Sequence, residues 1–248
     1  MSGQKKNQRP SASAARHKLG RAPGLPDLPE LLTQTLFPPE HDGRPLILAI
    51  AGPNGAGKST VFDVLQRLAG PRIPPFLNVD DLTLRLGAIF PGLPKLDDAG
   101  WAITNALRQH ALQHGIPFTT EILLSDTEGQ RIAALAQARA GSHNFRTVLI
   151  YVTVALPDLA VARVMHRAAT GAHGFAPDVV REHYARSHEA LPFALQVVDA
   201  AIVLDNSEVA QDALSMKPLL LTEKGRVSWE SPTLPNHIIA VRDKLLAR

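Results

Sequence analysis

Six apolar residues in a row, Leu46-Ile47-Leu48-Ala49-Ile50-Ala51, run directly into Gly52-Pro53-Asn54-Gly55-Ala56-Gly57-Lys58-Ser59-Thr60. No other segment constrains the fold as strongly. An apolar run without polar alternation is what a parallel strand buried on both faces requires. The glycines that follow allow a tight loop whose backbone N–H groups converge on one point, and a helix opening at Lys58 turns its positive end toward the same point. The pattern G-x-x-x-x-G-K-[ST] between strand and helix is a phosphate cradle, in which Lys58 neutralises the terminal phosphates and the Ser59 hydroxyl is a ligand for magnesium. Gly52 through Thr60 are therefore read as the ATP-binding segment, with Mg2+ at Ser59.

The rest of the sequence alternates strand and helix patterns. Helices are predicted over Lys58 to Ala69, Asp97 to His114, Thr127 to Ala140, Pro157 to Thr170 and Pro177 to Ala190. Strands are predicted over Phe76 to Val79, Ile116 to Ile122, Arg146 to Val154 and Ala201 to Leu204. This alternation predicts an α/β fold, a mainly parallel sheet covered by helices on both faces. Leu219 to Thr222 and Val227 to Glu230 flank a turn at Glu223-Lys224-Gly225-Arg226, and Pro235 to Leu246 reads as a last helix. The expected organisation is a basic, Pro-rich, flexible extension over 1–44, a kinase core over 45–214, and an appended hairpin and helix over 215–248. Within the extension, Leu28 to Leu32 is a short candidate helix that caps the domain, and order is expected from Pro45.

Composition narrows the classes. The chain of 248 residues is 45% hydrophobic and 20% charged, as in soluble globular domains. With no Cys, disulfides, thiolate zinc sites and Cys nucleophiles are excluded. No apolar run reaches the roughly 20 residues that span a bilayer, so the expectation is a cytoplasmic protein without a membrane partner. An isoelectric point of about 9.4 raises the question of nucleic acid. However, Lys5, Lys6, Arg9, Arg16, Lys18 and Arg21 all lie in the first 21 residues, and removing them from the net charge of +3 leaves the remainder net acidic. The basicity belongs to a tail, and nucleic acid is not the expected partner.

A phosphate cradle does not say what becomes of the phosphate. The strand Thr147 to Val154 continues into Ala155-Leu156-Pro157 without the acid that hydrolytic motors place there. Acids stand at two other strand ends. Asp80, after Phe76-Leu77-Asn78-Val79, is placed to accept a proton from an attacking hydroxyl, while Asp81 reads as a cap of the next helix. Glu121 ends the third strand, where it binds substrate hydroxyls, helps hold magnesium, or is simply the polar residue of an alternating strand. Arg163 and Arg167, four apart on one helix face, precede Gly171-Ala172-His173-Gly174 as lid arginines would. At least one of them is expected at the phosphates, and the sequence does not say which.

Taken in order, Gly52 to Thr60, Asn78-Val79-Asp80, Phe118-Thr119-Thr120-Glu121-Ile122-Leu123-Leu124-Ser125, Arg163-Val164 with Arg167, His173, Tyr184-Ala185-Arg186-Ser187 and Asp205-Asn206-Ser207 resemble the motifs of the zeta toxin family of phosphotransferases. The resemblance implies a P-loop NTPase fold of the kinase-like type, a three-layer α/β/α sandwich, and a kinase using ATP and Mg2+. Asp80 would be the base, Lys58, Arg163 and Arg167 would act at the phosphates, and Asp80, Glu121, Ser125 and His173 would line the substrate side. It implies a nucleotide-sugar acceptor such as UDP-N-acetylglucosamine and a small helical antitoxin as partner. The alternative is a P-loop ATPase or nucleotide-dependent switch. The chain departs from the family at Ile122 and Leu123, where the family has two Thr, at Arg181-Glu182-His183, where it has an arginine-rich run, and at Gly171-Ala172, where it has paired Gly, so kinase chemistry carries over better than the acceptor.

Overall fold

The computed structural model describes residues 27–39, 43–124, 129–170, 174–208 and 215–247. Helix α1 (Leu28–Leu36) begins at Asp27, whose carboxylate accepts from the Glu30 N–H, and it buries Leu28, Leu31, Leu32 and Leu36. Its C-terminal carbonyls are satisfied by Arg146, whose guanidinium donates to Thr35 and Leu36. Helix α1 thus belongs to the core although it precedes Pro45, because four leucines at helical spacing reach the same apolar layer as the first strand.

Strand β1 (Leu46–Ala51) is buried throughout and is followed by α2 (Lys58–Ala69), a 3-10 turn, β2 (Phe76–Leu77), α3 (Val79–Ile89) and α4 (Leu96–His114). Next come β3 (Phe118–Ile122), α5 (Gln130–Ala140), β4 (Arg146–Thr153), α6 (Pro157–Ala169) and α7 (Pro177–Val197). The chain closes with β5 (Ala200–Asp205), β6 (Lys217–Glu223), β7 (Arg226–Glu230) and α8 (Asn236–Leu246). Most predicted elements are present within a few residues of their expected ends. Two differ in kind. The second strand is only two residues long, because Asn78 caps the next helix three residues ahead of Asp81, the residue expected to cap it. Helix α7 carries on through Pro192 to Val197, since burial of Leu191, Ala194 and Leu195 outweighs the hydrogen bond that proline forfeits.

The seven strands form one sheet in the order β2-β3-β1-β4-β5-β6-β7. The first five are parallel, with Ile50 opposite Glu121 on one side of β1 and Ile150 on the other. Alternate residues of β1 and β4 feed two apolar layers. Leu48, Ile50, Val148 and Ile150 meet α1 and α2 on one face; Ile47, Ala49, Leu149 and Tyr151 meet α4, α5, α7 and α8 on the other. The C-terminal hairpin is continuous with this sheet. β6 pairs antiparallel to β5 and β7 to β6, so the hairpin covers the β5 edge instead of standing apart. Among the described residues no helix is long and apolar enough to cross a membrane.

The topology sets where a ligand sits. The chain leaves β1 toward β2 and leaves β4 toward β5, so the carboxyl ends of these neighbouring strands form a topological switch point, the usual binding crevice of an open α/β sheet.

Candidate active site

At that crevice the loop after β1 is shaped by contacts that leave no room for side chains. A Cβ on Gly52 would stand 2.1 Å from the Val152 carbonyl oxygen of β4. Gly57, at φ +103, is the N-cap of α2 and has no side chain to occupy the first N–H groups of the helix. Those donors stay available to an anion. The loop is also held from below. Asn206, just past β5, donates from Nδ2 to the Ala56 carbonyl at 2.8 Å, and its own N–H is fixed on Thr153 O at 2.8 Å. Ser207 in turn accepts from Ala155 N at 2.6 Å and bonds to Asp205. The D-N-S triplet is therefore a clamp between β4, β5 and the phosphate loop.

Lys58 is 9% exposed, and its Nζ donates to the Gly52 and Pro53 carbonyls at 3.0 and 3.2 Å. It lies 3.3 Å from Glu121 Oε1, while Glu121 Oε2 accepts from Asn78 Nδ2 at 3.3 Å. Glu121 is thus not an idle polar residue of the strand. Asn78 has a second role: its Oδ1 accepts from Asp81 N and caps α3. The cap is therefore Asn78, not Asp81, and Asp81 pairs with Arg85 at 2.9 Å. Asp80 sits in the first turn of α3, exposed to the cleft.

Asn54, Gly55, Gly57, Lys58, Ser59, Thr60, Asp80, Glu121, Arg163 and Arg167 all line one open cleft of about 930 Å³. Both arginines of α6 reach it. Burial lowers the pKa of Arg163, with the Asp205 charge opposing, and its Nη1 is buried without a hydrogen-bond partner among the described residues. A buried guanidinium N–H facing a phosphate cradle is suited to an anionic oxygen. By contrast, Arg181 is held by Asp158 and Asp178, and Arg186 by Glu182. Where the family has two Thr after the Glu, Ile122 is buried in the core and Leu123 presents an apolar side chain to the cleft.

Ser125 and His173, expected on the substrate side, lie outside the described residues, as does Gly171-Ala172. A different histidine is found beside the loop. His183 of α7 stands with Nδ1 3.3 Å from Asn54 Nδ2, and burial, together with the charges of Arg186 and Lys58, lowers its pKa against the opposing effect of Glu182. Only the fold brings these two residues together, 129 positions apart.

Among the described residues no group of three His, Cys, Asp or Glu side chains could hold a metal by itself. A Mg2+ ion keeps most of its water and takes the remainder of its ligands from phosphates and one or two protein oxygens. The exposed Ser59 hydroxyl at the cleft wall fits that limited role.

No protein-family model matches the chain, and no curated protein matches it. Solved structures do. The AvrRxo1-ORF1:-ORF2 complex aligns with a TM-score of 0.50 at 12% identity, over 82% of this chain and 74% of that one. The PezAT chromosomal toxin–antitoxin system of Streptococcus pneumoniae aligns with a TM-score of 0.49 at 13% identity, over 88% of each chain. A gluconokinase from Sinorhizobium meliloti 1021 aligns with a TM-score of 0.37 at 17% identity, over 82% and 90%. At these identities the likeness concerns the fold. With the parallel strand order and the phosphate loop at the end of β1, the chain has a P-loop kinase-like α/β fold, the fold that the zeta toxin resemblance implies.

Proposed function

We propose that the chain is an ATP-dependent phosphotransferase acting on a hydroxyl of a small metabolite, a nucleotide sugar such as UDP-N-acetylglucosamine. The observation that carries the reading is that Lys58, Ser59, Asp80, Glu121, Arg163 and Arg167 line a single cleft at the mouth of the phosphate loop. A cradle alone would serve any triphosphate-binding protein. A carboxylate exposed in the same cleft adds what transfer to a hydroxyl needs.

In this reading the phosphates lie on the N–H groups of the loop and the first turn of α2, and Lys58 leaves Glu121 for the terminal phosphates. Ser59 would hold Mg2+, which when bound neutralises charge on the β- and γ-phosphates. Asp80 accepts the proton of the acceptor hydroxyl as its oxygen attacks the γ-phosphorus; the new O–P bond forms, the bond to the β-phosphate oxygen breaks, and ADP departs. Arg163 and Arg167 stabilise the charge that spreads over the equatorial oxygens. Glu121 orients the acceptor. Leu123, in place of a family Thr, makes that side of the acceptor pocket less polar. A small helical antitoxin remains part of the same proposal, following from the resemblance.

The test is incubation with ATP, Mg2+ and a panel of nucleotide sugars and nucleotides, with mass spectrometry following the mass of each acceptor. A phosphorylated acceptor, lost in Lys58→Ala and in Asp80→Ala, is expected. Equal ADP release with and without every acceptor contradicts the reading and favours an ATPase.

A further inference from the structure

The contact between His183 and Asn54 is not used by the reaction proposed above. Asn54 lines the cleft and directly follows Gly52 and Pro53, whose carbonyls hold the Lys58 ammonium at 3.0 and 3.2 Å. It therefore belongs to the part of the loop that serves the terminal phosphates in that reaction. His183 reaches it from α7, with Nδ1 3.3 Å from Asn54 Nδ2. The Phe175 ring, which also lines the cleft, stands edge-on to the imidazole with centroids 6.0 Å apart. The imidazole is half-buried against these two side chains. The charged groups that face it are Glu182 and Arg186 of its own helix, which pair with each other, and Lys58 of α2. Burial lowers the His183 pKa, and Arg186 and Lys58 add to that against Glu182, so the ring favours its neutral form before a nucleotide arrives. A neutral imidazole with its proton on Nε2 accepts at Nδ1 from the Asn54 amide, and the end of the amide left over is Oδ1, which repels a phosphate oxygen. A protonated ring donates from Nδ1 and takes Oδ1 instead, which turns the amide over and leaves its N–H donors for an anion. A triphosphate beside Lys58 brings the negative charge that favours the protonated ring.

We propose that His183 is a positioning residue of the nucleotide site: it takes up a proton from solvent as a triphosphate binds, and the protonated ring holds the Asn54 amide with its N–H groups toward the terminal phosphates. This rests on the nucleotide half of the phosphotransferase reading and adds a proton to the binding equilibrium. A group that titrates higher in the complex than in the free protein tightens binding as pH falls. Affinity for the triphosphate is therefore greatest below the range in which His183 titrates in the complex and declines as pH rises through it.

Calorimetric titration of the full chain with a non-hydrolysable ATP analogue and Mg2+, in PIPES and in Tris buffer at about pH 7, counts the protons taken up, because the two buffers differ in ionisation enthalpy. Wild type is expected to take up about half a proton more than His183→Asn, whose amide keeps a hydrogen-bonding group near the Nδ1 position and does not titrate. Between about pH 8.5 and pH 6.5, wild-type affinity is expected to rise about threefold relative to that of His183→Asn. Asn54→Ala is expected to lose most of this gain, since the ring then has no amide to turn. His183→Gln serves the same comparison if His183→Asn fails to fold. Equal proton uptake in wild type and the His183 variant overturns the proposal, and an undiminished gain in Asn54→Ala overturns the positioning role. The measurement needs binding and no turnover. A protein that binds the analogue with equal proton uptake in both forms refutes the role of His183 and leaves phosphoryl transfer standing, whereas failure of wild type to bind the analogue refutes both.

Discussion

The Lys58 ammonium and the Glu121 carboxylate, from the phosphate loop and the neighbouring strand β3, lie 3.3 Å apart with Lys58 almost wholly buried. In the proposed reading, the residue that meets the nucleotide is thus already held by a residue of the acceptor side. In the proposed reaction, ATP competes with Glu121 for Lys58, and the released carboxylate becomes free to bind acceptor.

This competition has a measurable consequence. Glu121→Gln keeps the shape but removes the rival charge. Affinity for a non-hydrolysable ATP analogue is expected to rise about three- to tenfold, less than a fully buried pair would give because Glu121 is 34% exposed. Calorimetric titration of wild type and variant reads this directly, and equal or weaker binding by the variant contradicts it.

The clamp from Asn206 to Ala56 makes a second prediction. Asn206→Ala removes one hydrogen bond to the loop, worth about 1 to 1.5 kcal/mol, while Gly57 loses the amide packed against it. Nucleotide affinity should fall about five- to tenfold, with a much smaller change in acceptor KM. A variant with unaltered nucleotide affinity would show that the triplet does not shape the cradle.

Acid stability follows from a buried histidine. His188 is 9% exposed, its Nδ1 lies 2.8 Å from the Tyr184 carbonyl, and its Nε2 lies 2.8 Å from Thr153 Oγ1. Burial pushes its pKa down to about 4, with the Tyr184 carbonyl opposing and His237 adding to the shift. The unfolded chain, near the ordinary 6.5, therefore binds the proton first. Stability is highest above pH 6.5 and falls as pH drops toward 4, by about 3 kcal/mol from this residue. Urea unfolding at pH 7 and pH 4.5 should show a steeper loss for wild type than for His188→Phe. Parallel losses in both proteins contradict the assignment.

Asp199 is a structural counterpart at the other end of the sheet. This buried carboxylate is 3.2 Å from both Arg44 and Arg139 and accepts from Thr147 N at 2.9 Å. Asp199→Ala removes both ion pairs and leaves the buried Thr147 N–H without its acceptor, and should cost about 3 kcal/mol of stability, read as a lower urea midpoint with nucleotide affinity retained in the folded protein.

What could be read from the sequence was what lies close together along it. The β1 run, the glycine loop and α2 declare themselves within 24 residues because burial pattern and turn chemistry are local. Asp80 and Glu121 stood out because acids at the ends of apolar strands are conspicuous. Helix α3 was announced only by the cap assigned to Asp81; Leu82, Leu86 and Ile89 recur at helical spacing, yet the helix buries no residue. Asn206 was quoted as part of a signature, yet its bond to Ala56 spans 150 positions and only the pairing of β4 with β5 creates it. His183 was passed over for His173 because the turn of α7 toward Asn54 has no local pattern. The hairpin read as an appendage because nothing in its own sequence names β5 as its partner.

The central claim is transfer to a hydroxyl with Asp80 as the base, and acceptor-dependent ADP release in wild type and Asp80→Ala tests it most directly. With an acceptor found in the panel, wild type should release ADP only when the acceptor is present. Asp80→Ala should bind the ATP analogue with unchanged affinity yet lose at least a hundredfold in turnover. An Asp80→Ala protein that turns over as fast as wild type, with or without acceptor, would contradict the account.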